Sequence, residues 1–240
     1  MKIAVNGING RMGQEIVRVI NSEDDLIIVD FNALDENACA DVVIDFSSPD
    51  GCMKVLKYCS ENNVPLVVGT TGLSDAQKET LEIASKTIPI VFAPNMSLSV
   101  NVMFTISKLI AKYLPDAEVE IIEAHHRYKK DAPSGTAIGI GEAIAIGRDQ
   151  DFKEVAKFTR ERHSENIRDK NEIGFSVVRG GDIVGQHTAM FILNGEELNI
   201  SSMINNRKSF ASGAVLAAKF LVKQTENRLF SMQDVLGIDI

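Results

Sequence analysis

K-I-A-V-N-G-I-N-G-R-M-G-Q-E-I-V-R-V-I-N occupies residues 2–21. Lys2 to Asn6 is a short, mostly apolar run of strand character. Gly7, Gly10 and Gly13 follow, and Gln14 to Asn21 continues with the apolar spacing of a helix. Strand, glycine turn and helix in that order are the context of a dinucleotide fingerprint. The glycines let backbone approach a pyrophosphate, which rests on the free N–H groups of the helix start. The spacing is G-x-x-G-x-x-G, with Ile8 where the commoner G-x-G-x-x-G has its first glycine. A tight structural turn would use the same residues, so the motif alone leaves both readings open.

Working outward, the strand–helix alternation repeats. Leu26–Asp30 is a second strand, and an acid at its end, Asp30, is placed to bond ribose hydroxyls. The stretch 31–41 holds no Arg or Lys for a 2′-phosphate, so the choice between NADH and NADPH stays open. Asp41–Phe46 is a third strand, and Ser48-Pro49 opens a helix to about Asn62 whose Cys52, Val55, Leu56 and Cys59 share one face. Val64–Val68 is a fourth strand ending in Gly69-Thr70-Thr71-Gly72. Ser74 and Gln77 form a capping box for the next helix. Pro89–Ala93 is a fifth strand, followed by Pro94-Asn95-Met96. Loops at successive carboxyl ends of parallel strands are where such folds bind ligands. A helix over 101–113 comes next. Beyond it, 150–172 is a charged surface excursion, His163 included, with no assigned role. Ile173–Arg179, Ile183–Leu193 and Glu197–Ile204 are three strands, with a hairpin turn at Asn194-Gly195, and a last helix runs from Ser209 to about Gln224. Repeating strand–helix units followed by clustered strands predict an α/β chain: a Rossmann-like domain plus a smaller, sheet-rich α+β domain.

The 240 residues are 45% hydrophobic and 24% charged, an ordinary soluble composition, and the net charge of −8 gives no support to nucleic-acid binding. No apolar run is long enough for a membrane span, and the start of the chain is a strand rather than a signal peptide. Cys39, Cys52 and Cys59 form no C-x-x-C pair and are expected to be reduced packing residues of a cytoplasmic protein. No His/Cys/Asp/Glu grouping has metal-ligand spacing.

The chemistry concentrates in residues 120–137, E-I-I-E-A-H-H-R-Y-K-K-D-A-P-S-G-T-A. Glu118 to Ala124 alternates as a strand. His125, His126, Arg127, Lys129 and Lys130 form a charged loop, and Ser134-Gly135-Thr136 starts a small, apolar helix to Gly147. Free N–H groups of a helix start, with cations and a histidine beside them, suit a small anion and a proton donor. A solvated basic loop before an ordinary serine cap is the plainer reading. Adjacent histidines on extended backbone point to opposite faces, so His125 and His126 should not share one metal.

This run carries E, aliphatic, any, E, any, H, three residues, K, any, D, any, P-S-G-T-A. It resembles the signature of the dihydrodipicolinate reductase (4-hydroxy-tetrahydrodipicolinate reductase) family at every fixed position. G-x-x-G-R-M-G (7–13), D-V-V-I-D-F-S-S-P (41–49), G-T-T-G (69–72) and the run 174–191 are also similar to that family. The resemblance implies NADPH or NADH as cofactor and a small cyclic dicarboxylate as substrate, within the diaminopimelate route to lysine. It implies a homotetramer, with no nucleic-acid or membrane partner. It implies His125 and Lys129 as catalytic groups, with His126, Lys129, Ser134, Gly135, Thr136 and Arg207 on the substrate. It places the cofactor against Gly7, Ile8, Asn9, Gly10, Arg11, Met12, Asp30, Gly69, Thr70, Thr71, Ala93, Pro94, Asn95 and Met96, and gives His187 a structural role. The expected domains are 1–96 with 208–240 for the dinucleotide, and 97–207 for substrate and oligomerisation. Another two-domain NAD(P)-dependent reductase would explain residues 7–13 but not P-S-G-T-A. A dinucleotide sensor without chemistry would not need both His125 and Lys129.

Overall fold

A computed structural model describes residues 1–34, 39–160 and 167–238. The chain forms two compact units: Met1–Leu98 together with the stretch from Arg207 onward, and Ser99–Asn206. His163 and residues 35–38 lie outside the described residues.

The first unit contains β1 (Lys2–Asn6), α1 (Arg11–Ile20), β2 (Ile27–Asp30), β3 (Val42–Asp45), α2 (Pro49–Asn62), β4 (Leu66–Val68), α3 (Asp75–Ala84) and β5 (Ile90–Phe92). It also contains α7 (Lys208–Leu221), β11 (Leu229–Phe230) and α8 (Met232–Leu236) from the end of the chain. Its six strands are parallel in the order β11-β5-β4-β3-β1-β2. Side chains alternate across the pleat, so each strand feeds two cores. Ile3, Val5, Val42, Ile44, Val67 and Val91 face α1 and the small-residue face of α7, Ala211, Ala214, Ala217 and Ala218. Ala4, Val43, Leu66, Val68 and Ile90 face the Cys52, Val55, Leu56, Cys59 stripe of α2 and Leu81 of α3. A sheet buried on both faces explains the near-continuous apolar strands. Each fully buried Val or Ile is worth about 1.5–3 kcal/mol of transfer free energy. Ser48 caps α2 through the Gly51 N–H, and the Ser74–Gln77 box caps α3.

The second unit contains α4 (Leu98–Tyr113, entering from the first unit), β6 (Glu118–His125), α5 (Gly135–Gly147), α6 (Phe152–Val155), β7 (Ala156–Lys157), β8 (Ile173–Arg179), β9 (Gly185–Leu193) and β10 (Glu196–Ile204). Its mixed sheet runs β10-β9-β6-β8-β7. One face, with Val119, Ile121, Ile173, Phe175, Ala189 and Phe191, packs on Ile140 and Ile144 of α5 and on Met103 and Ala111 of α4.

The α/β class, the parallel sheet and the added strand-rich unit agree with expectation. Two readings need correction. Residues 150–172 are not a plain solvated face: Arg168 bonds Glu120 Oε1 at 3.1 Å and the carbonyls of Val119 and Glu172, while Arg160 pairs with Glu120 and Glu172. Glu120 on β6 and Glu172 before β8 pair with both arginines. Cys52 and Cys59 are buried, but Cys39 is exposed.

Candidate active site

In the first unit the loops after β1, β3, β4 and β5 meet at the carboxyl edge of the sheet. Arg11, Met12, Phe46, Ser47, Gly69, Thr70, Thr71, Pro94, Asn95, Met96 and Phe210 line a cavity there of about 450 Å³. Gly7 has φ +77, a conformation costly for any residue with a Cβ. A Cβ at Gly13 would collide with the Gly7 carbonyl and the Ile8 backbone. The turn therefore presses directly against α1. No side chain caps α1 at Gly10 and its first turn carries no acid, so its N–H groups and positive dipole end face outward. Asn9, Gly10, Arg11, Gln14, Glu15, Arg18 and Arg207 line a second cavity of about 300 Å³ beside that turn.

Several expected cofactor residues behave differently from one another. Thr70 turns its hydroxyl inward, donating to Asp45 Oδ2 at 2.6 Å, while Asp45 Oδ1 accepts from Asn6 and Ser47 at 2.6 Å each. This buried network ties the ends of β1, β3 and β4 together. Ala93 is buried in the core and pairs with Val68 through its backbone. Asp30 accepts from the backbone and side chain of Asn32, closing a 3₁₀ turn at Phe31–Ala33. Arg207, expected among the substrate groups, stands at the start of α7 and lines the cavity at the glycine turn.

In the second unit, β6 buries Val119, Ile121, Glu123 and His125 on one face. The inner stripe changes from apolar to polar at its C-terminal end. Strand register aligns Arg179 of β8 with His125, and His187 of β9 with Glu123. Glu123 Oε2 accepts from His125 Nδ1 at 2.6 Å and Arg179 Nη1 at 2.8 Å. Its Oε1 accepts from Arg179 Nη2 at 2.7 Å and the Ser134 N–H at 3.0 Å. Ser134 caps α5 through the Ala137 N–H, and its hydroxyl lies 3.0 Å from His187 Nε2. The rings of His125 and His187 are 5.2 Å apart, edge to face. Lys129 pairs with Asp131 at 2.9 Å. His126 is anchored by its N–H to the Ile183 carbonyl.

The charges are balanced by these contacts. Burial works to raise the Glu123 pKa, but Arg179, His125 and the Ser134 N–H outweigh it and hold the carboxyl below its usual range. Burial lowers the His125 pKa, Glu123 opposes that, and Lys129 and Arg179 add to the lowering, so the net direction is down. Burial, with His125 next to it, pushes His187 down to about 4. Lys129 outweighs burial at Asp131 and keeps that acid low.

His125, Lys129, Ser134, Gly135 and Thr136 thus lie along one strand end, loop and helix start. Ser134 is 1% exposed, with its hydroxyl and N–H both used inside the protein. Arg179 had no local sequence signal, because it reaches Glu123 from 56 positions away. Glu123 had one: it is in phase with Val119 and Ile121, which places it on the inner face. Among the described residues, no group of three or more His, Cys, Asp or Glu is disposed to hold a metal ion. No helix among them is long and apolar enough to cross a membrane.

Comparison with known proteins agrees with this layout. The family model "Dihydrodipicolinate reductase, N-terminus" matches residues 1–39 and 27–96, and "Dihydrodipicolinate reductase, C-terminus" matches 99–236. A 4-hydroxy-tetrahydrodipicolinate reductase of Nitrosomonas eutropha is 43% identical over 99% of this chain and 98% of its own. That of Nitrosomonas europaea is 41% identical over the same shares. An Acinetobacter baumannii protein of the same name is 50% identical over 83% of this chain and 72% of its own. Among solved structures, a dipicolinate-bound dihydrodipicolinate reductase from Paenisporosarcina sp. TG-14 superposes with TM-score 0.77 over 98% of both chains, at 24% identity, a likeness of fold. By both halves of the family model and by identity across nearly its whole length, this chain belongs to the dihydrodipicolinate reductase family.

Proposed function

We propose that this chain is an NAD(P)H-dependent 4-hydroxy-tetrahydrodipicolinate reductase, acting in the diaminopimelate route to lysine. The observation that carries the reading is the complete signature at 120–137, folded around buried His125 and Glu123 with Arg179 against them, in a chain 41–43% identical to reductases of that name over nearly all its length. A dinucleotide sensor would have no use for a histidine held this way.

The first unit fits the cofactor. The Gly7–Gly13 turn packs directly on α1, since a Cβ at Gly13 would meet the Gly7 carbonyl and the Ile8 backbone, and the start of α1 offers its N–H groups. Gly69, Thr71, Pro94, Asn95 and Met96 would hold the nicotinamide end, and Arg11 the adenosine end. A reduced nicotinamide bound there would supply a hydride to one carbon of the ring's conjugated double bond, which forms once the 4-hydroxyl has left as water. His125 gives the proton that the other carbon needs, from Nε2. The ring it leaves is neutral, with Nδ1–H still donated to Glu123, and it recovers its proton from solvent. Lys129, His126, Gly135 and Thr136 bind the substrate's carboxylates. Lys129 already pairs with one carboxylate, that of Asp131. We assign the assembly as a homotetramer. The outer face of the second sheet, where exposed Val178 and Met203 fall in one row with Ala124 and Gln186 and exposed Ile122 lies two residues along β6, gives a second copy apolar surface to cover. We place the protein in the cytoplasm, where the buried Cys52 and Cys59 remain thiols.

The test is an absorbance assay of NADPH and NADH oxidation with freshly prepared substrate. Oxidation should depend on both substrate and enzyme. Cofactor binding without any substrate-dependent oxidation would contradict the reading.

A further inference from the structure

Arg179 lies outside the 120–137 signature, yet it engages both oxygens of a carboxylate that is 1% exposed. We propose that Arg179 is a positioning residue: by gripping Glu123 it fixes the tautomer of His125 and sets how tightly that ring holds its second proton. The proposal rests on the reading of His125 as proton donor.

The hydrogen bonds close on themselves. Glu123 accepts four bonds, two on each oxygen, which fills its capacity. An ionised carboxylate only accepts, so His125 Nδ1 is the donor and Nε2 is the atom left to exchange a proton. On the Nε2 side stands Gly185: a Cβ there would lie 3.2 Å from Nε2, so the absence of a side chain keeps that nitrogen clear. The guanidinium fork matches the carboxylate bidentately and prevents it from rotating away from Nδ1. A further Arg179 Nη2 bond to the Asp131 carbonyl, 2.7 Å, links the pair to the loop that carries Lys129.

The same geometry tunes charge. The groups facing His125 are Glu123 on its own strand, Arg179 on β8, His187 on β9, and Lys129 with Asp131 from the loop. Glu123 alone would favour the imidazolium strongly. Burial and Lys129 oppose that, and Arg179 adds to them while leaving the hydrogen bond in place. The ring is thereby oriented by a carboxylate without being locked in its protonated form. This makes opposite predictions for the two partners. Removing the Arg179 charge should raise proton affinity at His125, and removing the Glu123 charge should lower it.

The experiment titrates the histidine rings of the full-length protein by NMR, with His125 assigned through His125→Asn, and follows the pH profile of kcat/KM in parallel. Arg179→Met should raise the His125 midpoint by about one pH unit and Glu123→Gln should lower it by about one, each a roughly tenfold change in proton affinity. Arg179→Lys, which keeps charge but not the fork, should leave the midpoint near that of the parent while kcat falls about tenfold or more. In the neutral parent ring, nitrogen shifts should place the proton on Nδ1. Midpoints that stay fixed, or that move the same way in Met and Gln variants, would overturn the proposal, as would a proton on Nε2. If Arg179→Met does not fold, Glu123→Gln decides alone: a midpoint that stays or rises overturns it. Opposite NMR shifts with an unchanged kcat/KM profile would uphold the positioning and overturn only the donor role of His125.

Discussion

At the scale of single residues, Lys129 and His187 make separable predictions. Lys129 carries charge in the second unit, while the glycine turn belongs to the first. Lys129→Ala should lower kcat/KM by about 10- to 100-fold, the effect of losing about 1.5–3 kcal/mol of charged hydrogen bonding to a carboxylate. NADPH affinity measured by calorimetry should stay within about twofold; an equal loss there would contradict the assignment. His187 concerns stability. Its folded pKa of about 4 lies below the ordinary histidine value, so between the two the unfolded chain binds more protons. Stability should therefore be intact above about pH 6.5, decline as pH falls towards 4 and level off below it, by on the order of 3 kcal/mol. Denaturant melts of the parent and His187→Gln across this range should converge as pH falls. A constant gap would mean that His187 titrates normally in the fold.

At the scale of elements, the glycine turn and the start of α5 make the strongest demands on sequence. Gly13→Ala forces its new methyl group into the Gly7 carbonyl, which can be relieved only by lifting the turn off α1. NADPH binding should weaken by about tenfold or more, while the far-UV signal of the fold survives. Unchanged affinity would mean that the turn does not carry the cofactor. These elements were legible because their chemistry is local. Glycine spacing, the Ser48-Pro49 start, the Ser74–Gln77 box and Ser134 each act within about four residues. The polar cluster was half legible. His125 and Lys129 stand in a contiguous motif, but Arg179 and His187 join it only through the register of β8 and β9 on β6. Long-range strand pairing leaves no mark in a local window. Arg168 was missed for the same reason: its partner Glu120 lies 48 positions away. The short β11 and α8 escaped because elements of two and five residues are too short to show a period.

At the scale of the whole molecule, two predictions follow from surfaces and loops. Light scattering at working concentration should give four copies of the 26.2 kDa chain; a monomer would remove the proposed role of the Ile122, Val178 and Met203 face. NADH and NADPH should support turnover within about tenfold of each other, a difference of about 1.4 kcal/mol. Asp30 sits at the end of β2 with its carboxylate turned to Asn32, while Arg11 and Arg207 offer positive charge at the glycine turn. A thousandfold preference either way would show that one of these groups dominates the ribose end.

The central claim is that hydride passes from the nicotinamide to the substrate ring while the protein contributes only a proton. Mass spectrometry of the product formed from NADPH deuterated at the transferring position of nicotinamide C4, in ordinary water, tests it most directly. The account predicts one deuterium in every tetrahydrodipicolinate molecule, and one more from solvent when the reaction is run in heavy water. NADPH oxidised with no label in the product would contradict it.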